Sequence, residues 1–141
     1  MKDKTAATWL ALLGGPFGLH RFYLAGTRDP LGWLLMLPSA LGLYGVWRAR
    51  HWGLDDTWSW ALMPLLGITA SGCAMTAIVY GLSGAERWNA RFNPDAGASD
   101  RAGATTWLTV SGVVLALFGG TIALMATLAF SFQRLFEFQA L

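Results

Sequence analysis

His20 and Arg21 stand out first for their chemistry, because they are ionisable and lie inside an apolar stretch, GGPFGLHRFYLAG, at positions 14–26. A histidine can act as a base or a metal ligand. No second histidine or carboxylate lies close to His20 in the sequence, so we expect neither a metal site nor a base–nucleophile pair. Arg21 is followed by Phe22 and Tyr23, an order typical of the membrane–water interface. There a guanidinium can bind lipid phosphate or free helix-end carbonyls.

Hydroxyl and thiol side chains in the apolar segments could act as nucleophiles of an intramembrane enzyme. The candidates are Ser39, Ser71, Ser83, Ser111 and Cys73. None has a histidine or aspartate partner within the same apolar segment, so the sequence favours a non-enzymatic protein with no catalytic residue, metal or cofactor. A single cysteine excludes an intramolecular disulfide and a cysteine-cluster metal site, and Cys73 is expected to be a small packing residue.

Two acidic positions are better explained by helix capping than by chemistry. Asp55 and Asp56 are adjacent carboxylates, which could bind a metal or exchange protons, but no third ligand or nucleophile accompanies them. They precede an apolar segment, where a helix N-terminus favours negative charge. Asp29, followed by Pro30, is predicted to cap a helix in the same way.

The composition predicts that these side chains are positioned by membrane helices. Hydrophobic residues make up 55% of the chain and charged residues only 13%, against about 25% charged in soluble domains. Residues 57–82 and 104–133 contain no Asp, Glu, Lys, Arg or His, and each exceeds the roughly 18-residue length of a membrane span. The net charge of +2 comes from scattered basic residues and does not indicate nucleic acid as a partner.

The apolar segments predict an all-α integral membrane protein with four transmembrane helices. The predicted helices cover residues 5–19, 31–47, 58–82 and 104–132. We expect residues 1–55 to form a short helical hairpin kinked by Pro16 and Pro38, and residues 56–141 to form a second, longer hairpin with a polar loop at 84–103.

The glycines and proline at 14–26 predict how the first hairpin turns. Gly14, Gly15 and Pro16 should interrupt the first helix, because glycine has no side chain to pack and proline lacks an amide hydrogen. Gly18 permits close backbone approach. Gly26 can adopt the left-handed conformation that ends a helical turn.

The same stretch resembles a known family. Glycine-rich apolar residues run into His20, Arg21, Phe22, Tyr23 and Leu24, and a second apolar segment with a tryptophan near its end follows. This order is similar to the TM-two domain family, and the resemblance covers residues 4–55. It implies two membrane helices joined by a short turn, and it implies no catalytic residue.

Small residues at four-residue spacing predict close helix packing in the second half. In a membrane, packing drives helix association, and small side chains let backbones approach. The predicted packing residues are Gly67, Ser71, Ala74, Ala116 and Gly120. Four helices are few to cover all these positions, so we expect membrane lipids and either a homo-oligomer or another membrane subunit as partners. The last helix is expected to present its outer face.

The function predicted from these features is that of a non-enzymatic accessory or scaffold subunit, with a small channel or transporter as the alternative. The spans carry only Ser, Thr and Gly as polar groups away from their ends, whereas substrate pathways usually need charged or polar side chains. Four spans place both termini on the same side. They also divide the lysines and arginines five against five, so the sequence does not decide the orientation.

Overall fold

The computed structural model describes residues 1–97 and 100–140 of the chain. Within these ranges the chain forms helices and no strand, which confirms the all-α fold class. A 3₁₀ turn, Gly15–Phe17, follows the first helix, and another, Arg101–Gly103, precedes the last. The α-helices are α1 (Lys4–Gly14), α2 (Leu19–Ala25), α3 (Pro30–Trp52), α4 (Thr57–Leu82), α5 (Ala85–Phe92) and α6 (Trp107–Gln139).

Three segments are long and apolar enough to cross a membrane: α3, α4 and Arg101–Gln139, which contains α6. The first predicted span, 5–19, is not one continuous helix, because α1 ends at Gly14 after 11 residues. α3 has 23 residues and ends at Trp52, so it is not the short helix that the sequence predicted. Its extra turn carries the basic residues Arg50 and His51, and the negative end of a helix favours the positive charge of Arg50.

The long helices begin at side-chain caps. Asp29 accepts a hydrogen bond from the Leu31 amide at 3.3 Å at the start of α3. Asp56 accepts one from the Ser59 amide at 2.9 Å at the start of α4, which confirms the capping prediction for Asp56; Asp55 is exposed and is not the cap. A third cap starts α6, where the side chains of Thr106 and Thr109 form a capping box: each accepts a hydrogen bond from the backbone amide of the other.

Helix α4 is the centre of the bundle, with α3 on one side and α6 on another. Gly42 of α3 lies so close to Leu66 of α4 that a Cβ would not fit between them. Gly120 of α6 lies in the same way against Ala74, and Gly67 of α4 lies against Thr127. These contacts make α4 antiparallel to both neighbours, and glycine makes the close approach of the backbones possible.

The short helix α1 packs into the groove between α4 and α6. Ala7 and Ala11 of α1 are completely buried, and Ala11 clusters with Ala74 and Ala77 of α4 and with Ala116 of α6. This core consists of alanines, so it holds the three helices together by close backbone approach and not by bulky side chains.

The stretch predicted as a polar loop, 84–103, contains α5 and the 3₁₀ turn Arg101–Gly103. Trp88 of α5 is 1% exposed, and its indole N–H donates to the Lys2 carbonyl at 2.8 Å. The rings of Trp88 and Tyr80 meet edge to face, with centroids 5.6 Å apart. Trp88 therefore anchors α5 to the bundle. The polar composition of this stretch did not indicate this aromatic contact.

Candidate functional site

The glycine–proline break reverses the direction of the chain inside the bundle. After α1 ends, Gly15 packs against Cys73 of α4 so tightly that a Cβ would not fit. The turn closes at Gly18, which has φ of 71° and donates its amide to the Gly15 carbonyl at 2.8 Å. α2 then begins directly after it. The glycines act here as the sequence predicted, at a sharp turn and a close approach.

Helix α3 holds this turn from the other side. The Ser39 hydroxyl donates to the Pro16 carbonyl at 2.6 Å and to its own helix at the Leu35 carbonyl at 3.0 Å. Gly18 lies against the carbonyl of Gly32, where a side chain would not fit. Ser39 therefore satisfies a carbonyl that the broken helix leaves free, and this is its observed role.

Helix α2 returns to the level at which α1 began. The Lys2 ammonium donates to the Tyr23 carbonyl at 2.6 Å, and the Asp3 amide donates to the Tyr23 hydroxyl at 2.8 Å. Eleven residues of α-helix rise only about 16 Å, about half of a bilayer hydrocarbon core. Helices α1 and α2 therefore form a hairpin that enters the bundle and leaves from the same end, which we call the re-entrant hairpin.

Arg21 binds the Asp29 carboxylate, a partner that the sequence did not suggest; lipid phosphate or helix-end carbonyls were expected. Its Nε donates to Asp29 Oδ2 at 2.7 Å and its Nη2 to Asp29 Oδ1 at 3.3 Å. The hydrogen bond from Arg21 is the main reason that the pKa of Asp29 lies below its usual value. Gly26 in the intervening turn has φ of 88°, positive as expected, with an extended ψ of 170°. This ion pair fixes the return from α2 to α3.

Phe22 and the first turn of α3 complete this side of the hairpin. The Phe22 ring fills the space that Gly32 leaves and lies with its centroid 5.3 Å from that of Trp33. Gly14 at the opposite end of the turn receives the Leu19 side chain in a similar way. The motif residues are thus packed side by side as one unit.

His20 is the least expected residue of the motif, because it is 2% exposed. Its ring centroid is 6.1 Å from that of Tyr80, and its Nδ1 has no hydrogen-bond partner within residues 1–97 and 100–140. A buried polar atom without a partner costs about 1–3 kcal/mol. His20 also lines a cavity of about 260 Å³ with Arg21 and the first turns of α3.

Lys4 is a buried residue that the sequence analysis missed. It is 0% exposed, and its ammonium donates to the Ser83 carbonyl at 2.9 Å and to the Thr105 hydroxyl at 2.7 Å. Asn93 accepts from the Lys2 amide at 2.6 Å beside it. The lysine binds the free carbonyl end of α4, an arrangement that nothing in the basic start of the sequence indicated.

The residues predicted for helix packing lie along the α4–α6 contact. Ala74 and Ala116 are buried, and Gly67 and Gly120 each receive a side chain of the opposite helix. Ser71 lies beside them and donates to its own helix at 2.7 Å. Gly120 thus contacts Ala74 within the chain, as expected for a helix-packing residue. An apolar groove of about 310 Å³ runs outside this contact.

The remaining candidates for chemistry are engaged structurally. Each serine considered as a nucleophile donates to a backbone carbonyl of its own helix: Ser39, Ser71, Ser83 and Ser111. Asp56 caps α4 and pairs with Arg48, while Asp55 is exposed. Within residues 1–97 and 100–140, no three His, Cys, Asp or Glu side chains come together in a way that could hold a metal.

Comparison with protein-family models, with curated proteins and with solved structures finds no match for this chain. The resemblance to the TM-two domain family therefore stays a prediction from residues 4–55.

Proposed function

We propose that this protein is a non-enzymatic accessory subunit of the membrane, related to the TM-two domain family in its first half, that works by helix–helix contact with a second copy of itself. The observation that carries the proposal is the apolar groove of about 310 Å³ that is lined by α4 and α6 alone, which is not the groove that α1 fills. Gly72, Ala116 and Thr121 are among the small residues that line it. Lipid chains pack poorly into such grooves, whereas a helix can fill them.

The proposed topology has three spans and the re-entrant hairpin. Lys4 bonds to the end of α4 and the start of α6, so it lies at one end of the bundle. Arg134 lies near Asp55, 3.9 Å away, at the other end. Residues 1–4 and residues 134–140 then lie on opposite sides of the membrane. This topology replaces the sequence-based expectation of four spans with both termini on one side.

The same topology resolves the tie in basic residues. Seven of the ten lysines and arginines lie at the end where α1 begins, and three lie at the other. The seven are Lys2, Lys4, Arg21, Arg28, Arg87, Arg91 and Arg101. Loops rich in lysine and arginine stay in the cytoplasm. We therefore assign the start of α1 to the cytoplasmic side.

A second copy is the occupant that suits the groove best, because α6 carries a matching ridge beside it. Phe118 and Ile122 lie next to the groove residues around the helix and are 65% and 67% exposed. Phe118 and Ile122 lie about 100° further around α6 than the groove residues Leu117 and Thr121. An exposed ridge and an open groove on adjoining faces of one helix allow the ridge of one copy to fill the groove of another. A channel or an unrelated subunit has no comparable support from the surface of the bundle.

Two glycines with open surroundings allow a direct test. A Cβ at Gly72 or at Gly119 meets nothing within 4 Å, so both positions accept larger side chains without disturbing the fold of one chain. Gly72 lines the groove and Gly119 does not. Gly72→Leu should therefore abolish the dimer in lipid nanodiscs, measured by native mass spectrometry, while Gly119→Leu should retain it.

A monomer for the unmodified protein in both mild detergent and nanodiscs would contradict the proposal. Equal loss of the dimer in both glycine variants would also count against it, because the groove would then have no special role. If the unmodified chain instead purifies in a fixed ratio with a different subunit, and Gly72→Leu releases that subunit, the groove serves a heteromeric complex and the self-association is wrong.

A further inference from the structure

Two adjoining cavities lie on either side of Arg21 and Tyr80 at the cytoplasmic end of the bundle. The cavity of about 260 Å³ is lined by His20 together with leucines of α3. A second one, of about 170 Å³, lies towards α5 and is lined by Arg91 and Phe92. Because Arg21 and Tyr80 line both cavities, we treat the two together as one site, which we call the cleft.

Three side chains of this cleft, those of His20, Arg21 and Arg91, can donate to a ligand. The bonds of Arg21 to Asp29 use Nε and Nη2, so Nη1 has no partner within the described part of the chain. His20 is buried with its Nδ1 unpaired, and a neutral imidazole has one N–H to donate. Arg91 is exposed beside the Phe92 ring, at 5.3 Å from its centroid. Two guanidinium groups and an imidazole suit a phosphate.

The other wall of the cleft is apolar and faces the bilayer. Leu31 and Leu34 of α3 line it and are 50% and 57% exposed. Leu35 lies one residue further along the same helix and lines it too. A small ion from solution would leave these leucines uncovered. The acyl chain of a lipid whose phosphate binds in the cleft would cover them.

We propose that the cleft binds one anionic phospholipid of the cytoplasmic leaflet. Its phosphate lies between Arg21 and Arg91, His20 donates to an oxygen of the phosphate or of the adjoining ester, and one acyl chain follows Leu31 and Leu34. The excess of basic residues at this end agrees with the negative potential of that leaflet. The site rests on the proposed topology but not on the dimer.

The first test compares Arg91→Gln with Arg87→Gln. Both arginines are exposed on α5, but only Arg91 lines the cleft, so the pair separates a defined site from general cationic attraction. Native mass spectrometry counts bound lipid after incubation with phosphatidylglycerol or with phosphatidylcholine of the same acyl chains. Arg91→Gln should lower the affinity for phosphatidylglycerol roughly tenfold, and Arg87→Gln should leave it unchanged.

His20→Phe is a second, independent test of the lipid site. It keeps an aromatic ring in the buried position and removes the imidazole N–H that would donate to the lipid. It should also weaken phosphatidylglycerol binding while the dimer fraction stays the same, which separates this site from the proposed assembly. Arg91→Gln keeps the proposal testable if His20→Phe does not fold.

Three results would overturn the lipid site. Binding of phosphatidylcholine as tight as that of phosphatidylglycerol would show that the site does not distinguish the charge of the headgroup. Equal loss in Arg91→Gln and Arg87→Gln would show that only the overall positive charge acts. Displacement of the lipid by inorganic phosphate at comparable concentration would assign the cleft to a free phosphate ion, because the acyl chain would then contribute nothing.

Discussion

The Asp56 carboxylate accepts two hydrogen bonds from Arg48, at 2.8 Å from Nε and 2.7 Å from Nη2, and it also caps α4. Arg21 and Asp29 form the same kind of pair, again eight residues apart. In both turns, an arginine on one helix binds the aspartate that caps the next. Paired hydrogen bonds of this type fix orientation as well as distance, so the two pairs set the angles at which α2 meets α3 and α3 meets α4.

The Arg48–Asp56 pair should make stability depend on acid pH. The hydrogen bond from Arg48 is the main cause that lowers the pKa of Asp56 from 3.8 to about 2. The unfolded chain therefore takes up a proton at higher pH than the folded chain, so the stability from this pair is complete above about pH 4 and is lost as the pH falls towards 2. Thermal melting in mild detergent should record a falling melting temperature across this window.

Asp56→Asn isolates that effect, because asparagine can still cap a helix but carries no charge. The variant should melt lower than the unmodified protein at pH 7, and it should lose less on acidification. Asp55→Asn is the matched control, because the Asp55 side chain is fully exposed and its ion pair with Arg134, at 3.9 Å, is screened by solvent; it should change the pH profile much less than Asp56→Asn. An unchanged profile in Asp56→Asn would show that other carboxylates control acid unfolding.

Arg21→Ala should reduce the yield of folded protein, because it leaves Asp29 without its partner at the turn into α3. Arg28→Ala changes an exposed arginine of the same turn and should have little effect. Size-exclusion yield and melting temperature in detergent compare the two. If Arg21→Ala accumulates and melts like the unmodified protein but loses its cellular effect, Arg21 is a recognition residue and not a structural one.

Gly15→Val should destabilise the bundle by about 1–3 kcal/mol, a typical cost of forcing extra methyl groups into a packed site. The Cβ at this position would collide with the Cys73 side chain. Gly119→Val introduces the same side chain into a helix where the Cβ is unobstructed, so it controls for the lower helix propensity of valine. Denaturant titration measures both. Similar losses in the two variants would mean that the contact with Cys73 relaxes easily.

Cysteine labelling should separate the two topologies. In a Cys73→Ala background, single cysteines replace Lys2, Asp55 or Asp95, and intact cells are treated with a membrane-impermeant maleimide. With the re-entrant hairpin, positions 2 and 95 share the cytoplasmic side and only position 55 is labelled from outside. Four complete spans would instead put positions 2 and 55 together, opposite to 95.

The sequence by itself determined the all-α class, the membrane setting and several local features. Long segments without charge predict membrane helices because a bare charge is costly in hydrocarbon. Capping by Asp56 and the break at Pro16 were predictable, because both depend on residues close in sequence. The positive φ of Gly26 was predictable for the same reason, whereas Gly18, which was expected only to permit close backbone approach, also has a positive φ.

Only the tertiary structure decided where the chain goes after that break. A helix interrupted at Gly14 can continue in its direction or turn back, and local propensity is the same for both. Contacts between residues distant in sequence select the return: Gly15 on Cys73, Ser39 on Pro16, and Lys2 on Tyr23. The burial of Lys4 and His20 also depends on contacts distant in sequence, because Lys4 bonds to Ser83 and Thr105 and the His20 ring lies beside that of Tyr80.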